Sequence, residues 1–515
     1  MVFSSYPFIL AFLPAVLAAV LVLNRLRAPA GMIVAALSLA SLFFYGYWNW
    51  RFLWVLLVSV CVNYGLGRLI ARSRHSSRHS WQASAVLAVG IAFNLAFLGY
   101  FKYANFFLDN IRPLFGGGPS HLDIILPLGI SFFTFQKIGY LVDIRQGRVG
   151  DHSFQHYLLF VTFFPQLIAG PITHHSDVIP QFVSGQAGQI RLDTFTLGLA
   201  MFVLGVAKKV LIADQVAGYA NPVFNAAAAG VPMPFLEAWC GTLAYTFQIY
   251  FDFSGYSDMA IGLGLMLNVR LPINFNSPYK ATSLIDFWRR WHITLSRFLR
   301  DYLYVPLGGN RLGERRRYIN LLIVMLLGGL WHGAAWTFVV WGAMHGAGLA
   351  INHLWRTMRP GSSEPGLLGT WTGRIATFVF VAIAWVMFRA TDMATAINVL
   401  KGMIGANGLV LPDTYFNLLG GLGPKLAGLG VRFEAGYLFL GIKQIGVLAT
   451  LFAVVTLAPN TLQIARYLAS PDGKQQAASW WMWRPNVGWG LGLSALAIAA
   501  LVMMSDAGEF LYFQF

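Results

Sequence analysis

Charge is what this sequence has little of. Only 11% of its 515 residues are Asp, Glu, Lys or Arg, while 57% are hydrophobic and 15% aromatic. A soluble domain of average make-up carries about 25% charged residues, so a string of water-soluble domains is excluded. Acid is scarcer than base, with 20 Asp and Glu against 36 Lys and Arg and a formal charge of +16. No compact, basic soluble segment gathers that excess, which sets nucleic-acid binding aside. In a membrane protein the same excess marks cytoplasmic loops and contact with anionic headgroups of the lipid bilayer. Cysteine is rarer still. Cys61 and Cys240 lie in apolar runs without a neighbouring His or Lys and read as two small buried hydrophobes. They build no disulfide framework and give no support to a thiol nucleophile. There is also no GxSxG elbow and no appended hydrolase-like soluble domain.

Long hydrophobic runs take the place of charge. Met1–Leu23 is apolar with no Lys or Arg ahead of it; Arg25 and Arg27 follow it. That order describes an uncleaved first span with its N-terminus outside. Further runs cover roughly 31–48, 51–68, 84–104, 122–142, 154–173 and 193–213, each near the ~20 residues that cross a ~30 Å hydrocarbon core. The linkers are brief, so the runs form one bundle: an all-α, polytopic integral membrane protein. One domain spans 1–515, with 1–280 as helical scaffold, 281–355 as its chemically richest stretch and 356–515 as C-terminal helices.

The linker 68–79 (RLIARSRHSSRH) is basic and reads as a cytoplasmic loop. Its i, i+4 pair His75 and His79 sits among arginines with no carboxylate nearby, which speaks against a metal site. Counting spans puts 25–30, 68–80, 145–152 and Lys208–Lys209 inside. The count then fails, because one apolar segment near 238–268 precedes the basic block 280–317, and a single crossing leaves that block outside. Gly255, Gly262 and Gly264 permit a break. The expectation is therefore a re-entrant segment near 238–268 that returns the chain to the cytoplasm. Asp252, Ser254, Ser257 and Asp258 lie in it and are expensive at membrane depth. They mark either a site or the capped halves of a broken helix.

The densest charge stands directly against very apolar sequence between Ser283 and Trp355. Ser283 with Asp286 three residues on resembles a capping box. On a helical wheel Trp288, Trp291, Leu295, Phe298, Leu299, Tyr302 and Leu303 share one face, and Arg289, Arg290, Arg297 and Arg300 most of the other. The expectation is one interfacial helix, basic side in the headgroups. His292 falls on its apolar side, where a lone histidine is more often structural than catalytic. His332 follows Arg317 by 15 residues, about 22 Å of helix, which places it deep in the membrane. Gly328, Gly329 and Gly333 thin the chain around it, Trp331 and Trp336 wall it, and His345 lies beside Gly342, Gly346 and Gly348 on a return span. Small residues allow close helix packing; they also leave room for a narrow passage. Buried histidines along a water-accessible path suit acyl or proton transfer.

The stretches FWRRWHITLSRFLRDYLYVPLGGNR and GLWHGAAWTFVVWGAMHG resemble the membrane-bound O-acyltransferase (MBOAT) family, in particular its bacterial alginate O-acetylation branch. LPLGISFFTFQKIGYLVD, FVTFFPQLIAGPI, KKVLIADQV and YFDFSGYSDMAIGLG are similar to it as well. The likeness covers nearly all of the chain to about residue 355. It implies a bundle of some eleven or twelve spans, with re-entrant and interfacial helices, around a central tunnel. It makes 281–355 the catalytic core, with His332 of the WHG motif as the deep catalytic histidine and His292 of WHITLS as its companion. Thr294 stands where Ser is more usual. His345, Trp331 and Asp301 are implied as supporting residues. Arg289, Arg290, Arg297 and Arg311 are candidate contacts for donor phosphates, although positive-inside anchoring accounts for most of this charge.

The implied reaction takes acetyl from a cytoplasmic thioester such as acetyl-CoA towards an extracytoplasmic polysaccharide. It runs across the bacterial inner membrane, through a separate periplasmic transfer partner, with no tightly bound cofactor and no metal. D-alanyl transfer to teichoic acid is the alternative within the family. A transporter shares the spans, but no repeat symmetry between halves is visible.

Overall fold

The computed structural model describes residues 1–74, 80–116, 122–150, 152–358, 366–435, 438–467, 479, 481–504 and 511. His75 and His79 lie outside the described residues, as does most of the aromatic C-terminus. What is described is almost wholly helical. The exception is a short parallel pair, Val410–Pro412 with Arg432–Glu434.

Among the described residues five helices are long and apolar enough to cross a membrane: Pro7–Arg25, Arg51–Ser73, Trp81–Phe115, Leu192–Ala228 and Leu367–Arg389. Ala30–Gly46, Ile442–Leu457 and Val487–Met503 are shorter but equally apolar. Ile130–Arg145, Phe235–Met266, Glu314–His332 and Trp336–Met358 complete the bundle.

At its centre is Phe235–Met266, 32 residues long and buried almost throughout, about 48 Å of continuous helix. The re-entrant break expected near 238–268 is therefore corrected. Its glycines serve close approach instead, as small residues do between packed membrane helices. Gly262 lies against Gly198, and Gly255 against Gly205. A Cβ on Gly198 would stand 2.5 Å from the Gly262 carbonyl oxygen, and one on Gly205 2.6 Å from that of Gly255. Val223 packs on Gly241, so the long partner helix Leu192–Ala228 runs antiparallel along its whole length.

That partner corrects a second expectation. The run does not end at 213, and Lys208–Lys209 form no cytoplasmic loop. They sit in a π-helical turn, Lys208–Ala213, facing the central helix. Lys208 Nζ is 2.6 Å from Asp258 Oδ2, and Lys209 Nζ is 2.7 Å from both Asp252 Oδ1 and Asp214 Oδ1. The costly intramembrane carboxylates are thus neither helix caps nor an isolated site. Each is the counter-ion of a lysine, the only cheap way to hold such charges away from water.

The third correction concerns 154–173. It folds as two short helices, Phe154–Thr162 and Phe164–Leu167, too short to span. Gln155 bonds the Gly31 carbonyl, the Phe164 N–H reaches Ser41, and the chain returns with His175 against Asp143. This is the re-entrant segment of the protein. Apolar composition alone cannot separate it from a span, because a segment buried in protein is as apolar as one that faces lipid.

With these changes the topology closes. At one end of the bundle Asn24 bonds the Gly188 carbonyl, Arg145 bonds Ser84, Gln181 bonds the Arg270 carbonyl, and Arg297 pairs with Asp177. The basic segments 25–30, 145–150 and 280–317 thus share that end. At the other, Tyr6 bonds the Leu501 carbonyl, Trp336 bonds Asn110, and Asn398 bonds the Val231 carbonyl. Of the two cysteines, Cys240 is buried as expected, whereas Cys61 is exposed on the bundle surface.

Candidate active site

The chain between Met266 and Glu314 is not the single interfacial helix that the wheel suggests. Ser283 caps a five-residue helix, Leu284–Trp288, by accepting the Asp286 N–H at 3.2 Å. The helix stops there, and a second, Ile293–Leu299, starts after His292. His292 itself has φ 43° and ψ 54°, a left-handed backbone that costs a non-glycine residue about 1–3 kcal/mol. This kink turns Trp291 and His292 inward, so the apolar face lies in the protein core and not on a lipid surface. A wheel assumes an unbroken helix, and that assumption fails here.

Asn274 holds the strained turn. Its carbonyl accepts the Ile293 N–H at 2.9 Å. Its side-chain Nδ2 donates to Ser257 Oγ at 3.3 Å, which orients the amide so that Oδ1 faces the turn. Oδ1 accepts from Thr294 Oγ1 at 2.9 Å and stands 3.0 Å from His292 Nδ1. An amide oxygen only accepts, so Nδ1 carries the proton and Nε2 carries the lone pair. Thr294, in place of Ser, keeps this hydroxyl. Its Oγ1 also accepts the Ile172 N–H at 3.0 Å and so ties the re-entrant tip to the site.

His332 is the last residue of Glu314–His332. The next residue, Gly333, is extended, and a Cβ there would run into the Phe338 ring. The return helix Trp336–Met358 packs back tightly, Gly329 against the Phe338 carbonyl and Gly342 against that of Met325. The hairpin brings the His332 ring to 6.3 Å from that of His292, centroid to centroid, with Trp331 beside both at 5.0 and 6.1 Å. Phe388 and Trp341 close the remaining sides of His332 at 5.1 and 5.2 Å.

His345 is fully buried one layer further out. Trp341 lies between it and His332, 4.7 Å from the first and 5.2 Å from the second. Its Nδ1 accepts the Trp288 indole N–H at 3.3 Å, which places its own proton on Nε2.

A cavity of about 410 Å³ reaches His332 and Trp331 from the end opposite the basic one, lined also by Lys102, Ser131, Ile168 and Ala169. It stops short of His292, so it is not the through-going central tunnel that was expected, but a pocket closed behind His332. Towards the basic end an aromatic stack continues from Trp331 to Phe135, Phe298 and Tyr302, with centroid spacings of 5.1, 4.1 and 4.8 Å. Tyr302 Oη donates to Asp143 at 2.5 Å, and His175 lies 3.2 Å from the same carboxylate.

The remaining expected residues divide by their partners. Arg290 is held by Asp286 at 2.8 Å, and Arg297 by Asp177 at 3.1 Å. Arg289 and Arg311 are exposed at the basic end. Asp301 bonds Arg300 at 2.7 Å and lies 3.9 Å from Arg297, so it belongs to the surface and not to the histidine pair. Sequence reasoning passed over Lys102 and Asn274. The first had a signal, a single cation inside the apolar run GYFKYANFF, where an intramembrane charge is informative by default. Asn274 had none, because its role depends on a turn that no periodicity announces.

A bundle with one buried imidazole at the floor of a cavity and a second 6.3 Å behind it suits group transfer to a hydroxyl. The model of the membrane-bound O-acyltransferase family, MBOAT, matches residues 42–391, and the chain belongs to that family. It is a multi-pass membrane acyltransferase, and the family's chemistry requires an acyl donor. The matched region includes His292, His332 and His345. The peptidoglycan O-acetyltransferase of Helicobacter pylori is 43% identical over 438 residues, 80% of this chain and 81% of that protein. The probable alginate O-acetylase AlgI of Azotobacter vinelandii is 42% identical over 421 residues, 80% of each chain. A teichoic acid D-alanyltransferase of Streptococcus thermophilus is 28% identical over 300 residues, 55% of this chain and 72% of that protein.

Proposed function

We propose that this chain is an O-acetyltransferase of the bacterial inner membrane that carries acetyl from a cytoplasmic thioester to an extracytoplasmic envelope polysaccharide. The observation that carries the reading is His332, at the floor of a cavity open away from the basic end, with His292 directly behind it. The positive-inside bias assigns the basic end to the cytoplasm, so the cavity faces the side on which polysaccharide is modified. The two relatives that share four-fifths of the chain carry O-acetyl names, which favours acetyl over D-alanyl transfer.

His332 acts as general base on the acceptor hydroxyl, or accepts the acyl group briefly itself. His292, with its lone pair at Nε2 set by Asn274, polarises or binds the reacting group from the donor side. His345 keeps the pocket rigid through Trp341 and Trp288, and Trp331 through its contacts with both His292 and His332. Acetyl-CoA is the donor that fits a basic cytoplasmic end. Of the four candidate arginines, Arg289 and Arg311 remain available for its phosphates, while Arg290 and Arg297 already hold carboxylates. A periplasmic transfer partner completes the path to the polymer. The test is His332→Ala in the producing cell, with acetyl content of the isolated envelope polysaccharide as the readout. Loss of acetyl ester with polymer yield maintained is expected; normal acetylation would refute the assignment.

A further inference from the structure

We infer that Lys102 is the charge-bearing partner of His332. It fixes the end of the helix that carries the imidazole and supplies a hydrogen bond to the acyl carbonyl oxygen as that oxygen becomes negative. The inference rests on the acyl-transfer reading above and extends it to a residue outside the histidine motifs.

Lys102 lies in a π-helical turn, Gly99–Tyr103, within the long helix Trp81–Phe115. Such turns occur where a helix re-aims side chains at functional positions. Here it turns two consecutive residues onto the last carbonyls of Glu314–His332, groups without a partner inside their own helix. Lys102 Nζ donates to the Trp331 oxygen at 2.6 Å and to the His332 oxygen at 2.9 Å; Tyr103 Oη donates to the Leu330 oxygen at 2.7 Å. An ammonium at this end also meets the negative pole of the helix dipole. A cap alone needs no charge, as Tyr103 demonstrates.

The cavity supplies the second reason. Lys102, Ser131 and His332 all line it. The third N–H of Lys102 goes to Ser131 Oγ at 3.3 Å, the longest of its three bonds. Ser131 accepts there, so its own O–H proton is available for donation. An oxygen acquiring charge beside His332 therefore meets a hydroxyl held in place and an Nζ that has only to turn its weakest bond from Ser131 to the oxygen, an arrangement that stabilises an oxyanion.

In the step proposed, the acceptor hydroxyl oxygen bonds to the acyl carbon while its proton passes to His332. The carbonyl π electrons move to oxygen, which accepts from the Ser131 hydroxyl and from the Lys102 N–H that leaves Ser131 Oγ, the longest of its three bonds. The oxyanion then collapses, the carbon–sulfur bond breaks, and the thiolate takes the proton from the imidazolium. Ester and thiol are the products, and no other reactant is required.

The test uses the full chain in lipid nanodiscs with acetyl-CoA as donor and water as acceptor, following free thiol. Lys102→Met is expected to lower kcat roughly 100-fold, the usual cost of removing one oxyanion donor, with KM within about twofold. Lys102→Arg keeps the charge and should restore turnover to within about tenfold of wild type, and Ser131→Ala should cost about tenfold. Tyr103→Phe removes a cap bond without touching the cavity; its melting temperature should fall while kcat holds. His332→Ala separates the two levels of argument. If that variant turns over normally, the acyl-transfer reading has failed. If it is dead while Lys102→Met keeps full kcat, the present inference is overturned. Should Lys102→Met not fold, unchanged kcat in Ser131→Ala overturns it instead. An Arg variant no better than Met likewise removes the electrostatic role.

Discussion

Replacing Gly342 by Ala is the most direct way to ask whether the histidine hairpin is as tight as it looks. A Cβ at Gly342 would lie 2.3 Å from the Met325 carbonyl oxygen and 3.0 Å from the Leu326 Cα. Both are backbone atoms of the helix that ends in His332, so no side chain can swing aside. Ordinary contact begins near 3.4 Å, so the two helices must separate by about 1 Å, an overpacking that costs about 1–3 kcal/mol. The same displacement passes along Glu314–His332 to the imidazole, where a misplacement of about 1 Å costs on the order of 100-fold in rate. The assay is paired: thermal melting of the purified protein, and thiol release from acetyl-CoA in nanodiscs. Gly218→Ala is the control, since a Cβ there meets nothing within 4 Å, and an interior helical Ala gains up to about 1 kcal/mol over Gly. Gly342→Ala with the wild-type melting temperature and rate would refute the reasoning, because the close approach it depends on would not exist.

Asn274→Leu removes the acceptor that keeps the His292 proton on Nδ1, and kcat should fall by roughly 10- to 100-fold, as for loss of a positioned acid–base partner; donor KM should hold, which the same thiol assay measures. Lys209→Met leaves Asp252 and Asp214 without their shared cation and should destabilise the fold by about 3–5 kcal/mol; adding Asp252→Asn should recover some of this in a melting experiment. Arg311→Ala should raise the acetyl-CoA KM in a salt-dependent manner, because an exposed cation acts through screened attraction. Arg297→Ala should instead lower the melting temperature with little change in KM, since its guanidinium is committed to Asp177.

Legibility varied with the kind of physics involved. The all-helical membrane class followed from composition, and the burial of His332 at the end of its helix from an imidazole set among glycines and tryptophans at the end of an apolar run. Charge placement did not follow. Lys208–Lys209 look cytoplasmic in a string of letters, because a string does not show Asp258 and Asp252 coming across from the next helix. Glycine was ambiguous for the same reason. Gly255 and Gly262 permit a break, yet they serve contact with Gly205 and Gly198, and only the partner helix distinguishes the two uses. The wheel through Trp288–Leu303 failed at one residue, His292, whose left-handed backbone depends on Asn274, 18 positions earlier. Pairwise partners across the bundle, not local pattern, carried what the sequence left out.

The re-entrant segment 154–173 has a consequence for how cargo traverses the bilayer. It enters from the basic end, and its tip, Ile168 and Ala169, lines the wall of the cavity that opens on the opposite side. At this point the cavity is therefore divided from the basic end by protein side chains, those of the stack from Trp331 to Tyr302, and not by lipid. Under the proposed reaction an acyl group passes between His292 and His332, whose rings are 6.3 Å apart. The two halves of the bundle need not rock past one another, as they do in carriers that alternate access. Towards the basic end the way from Trp331 is filled by the stacked rings of Phe135 and Phe298.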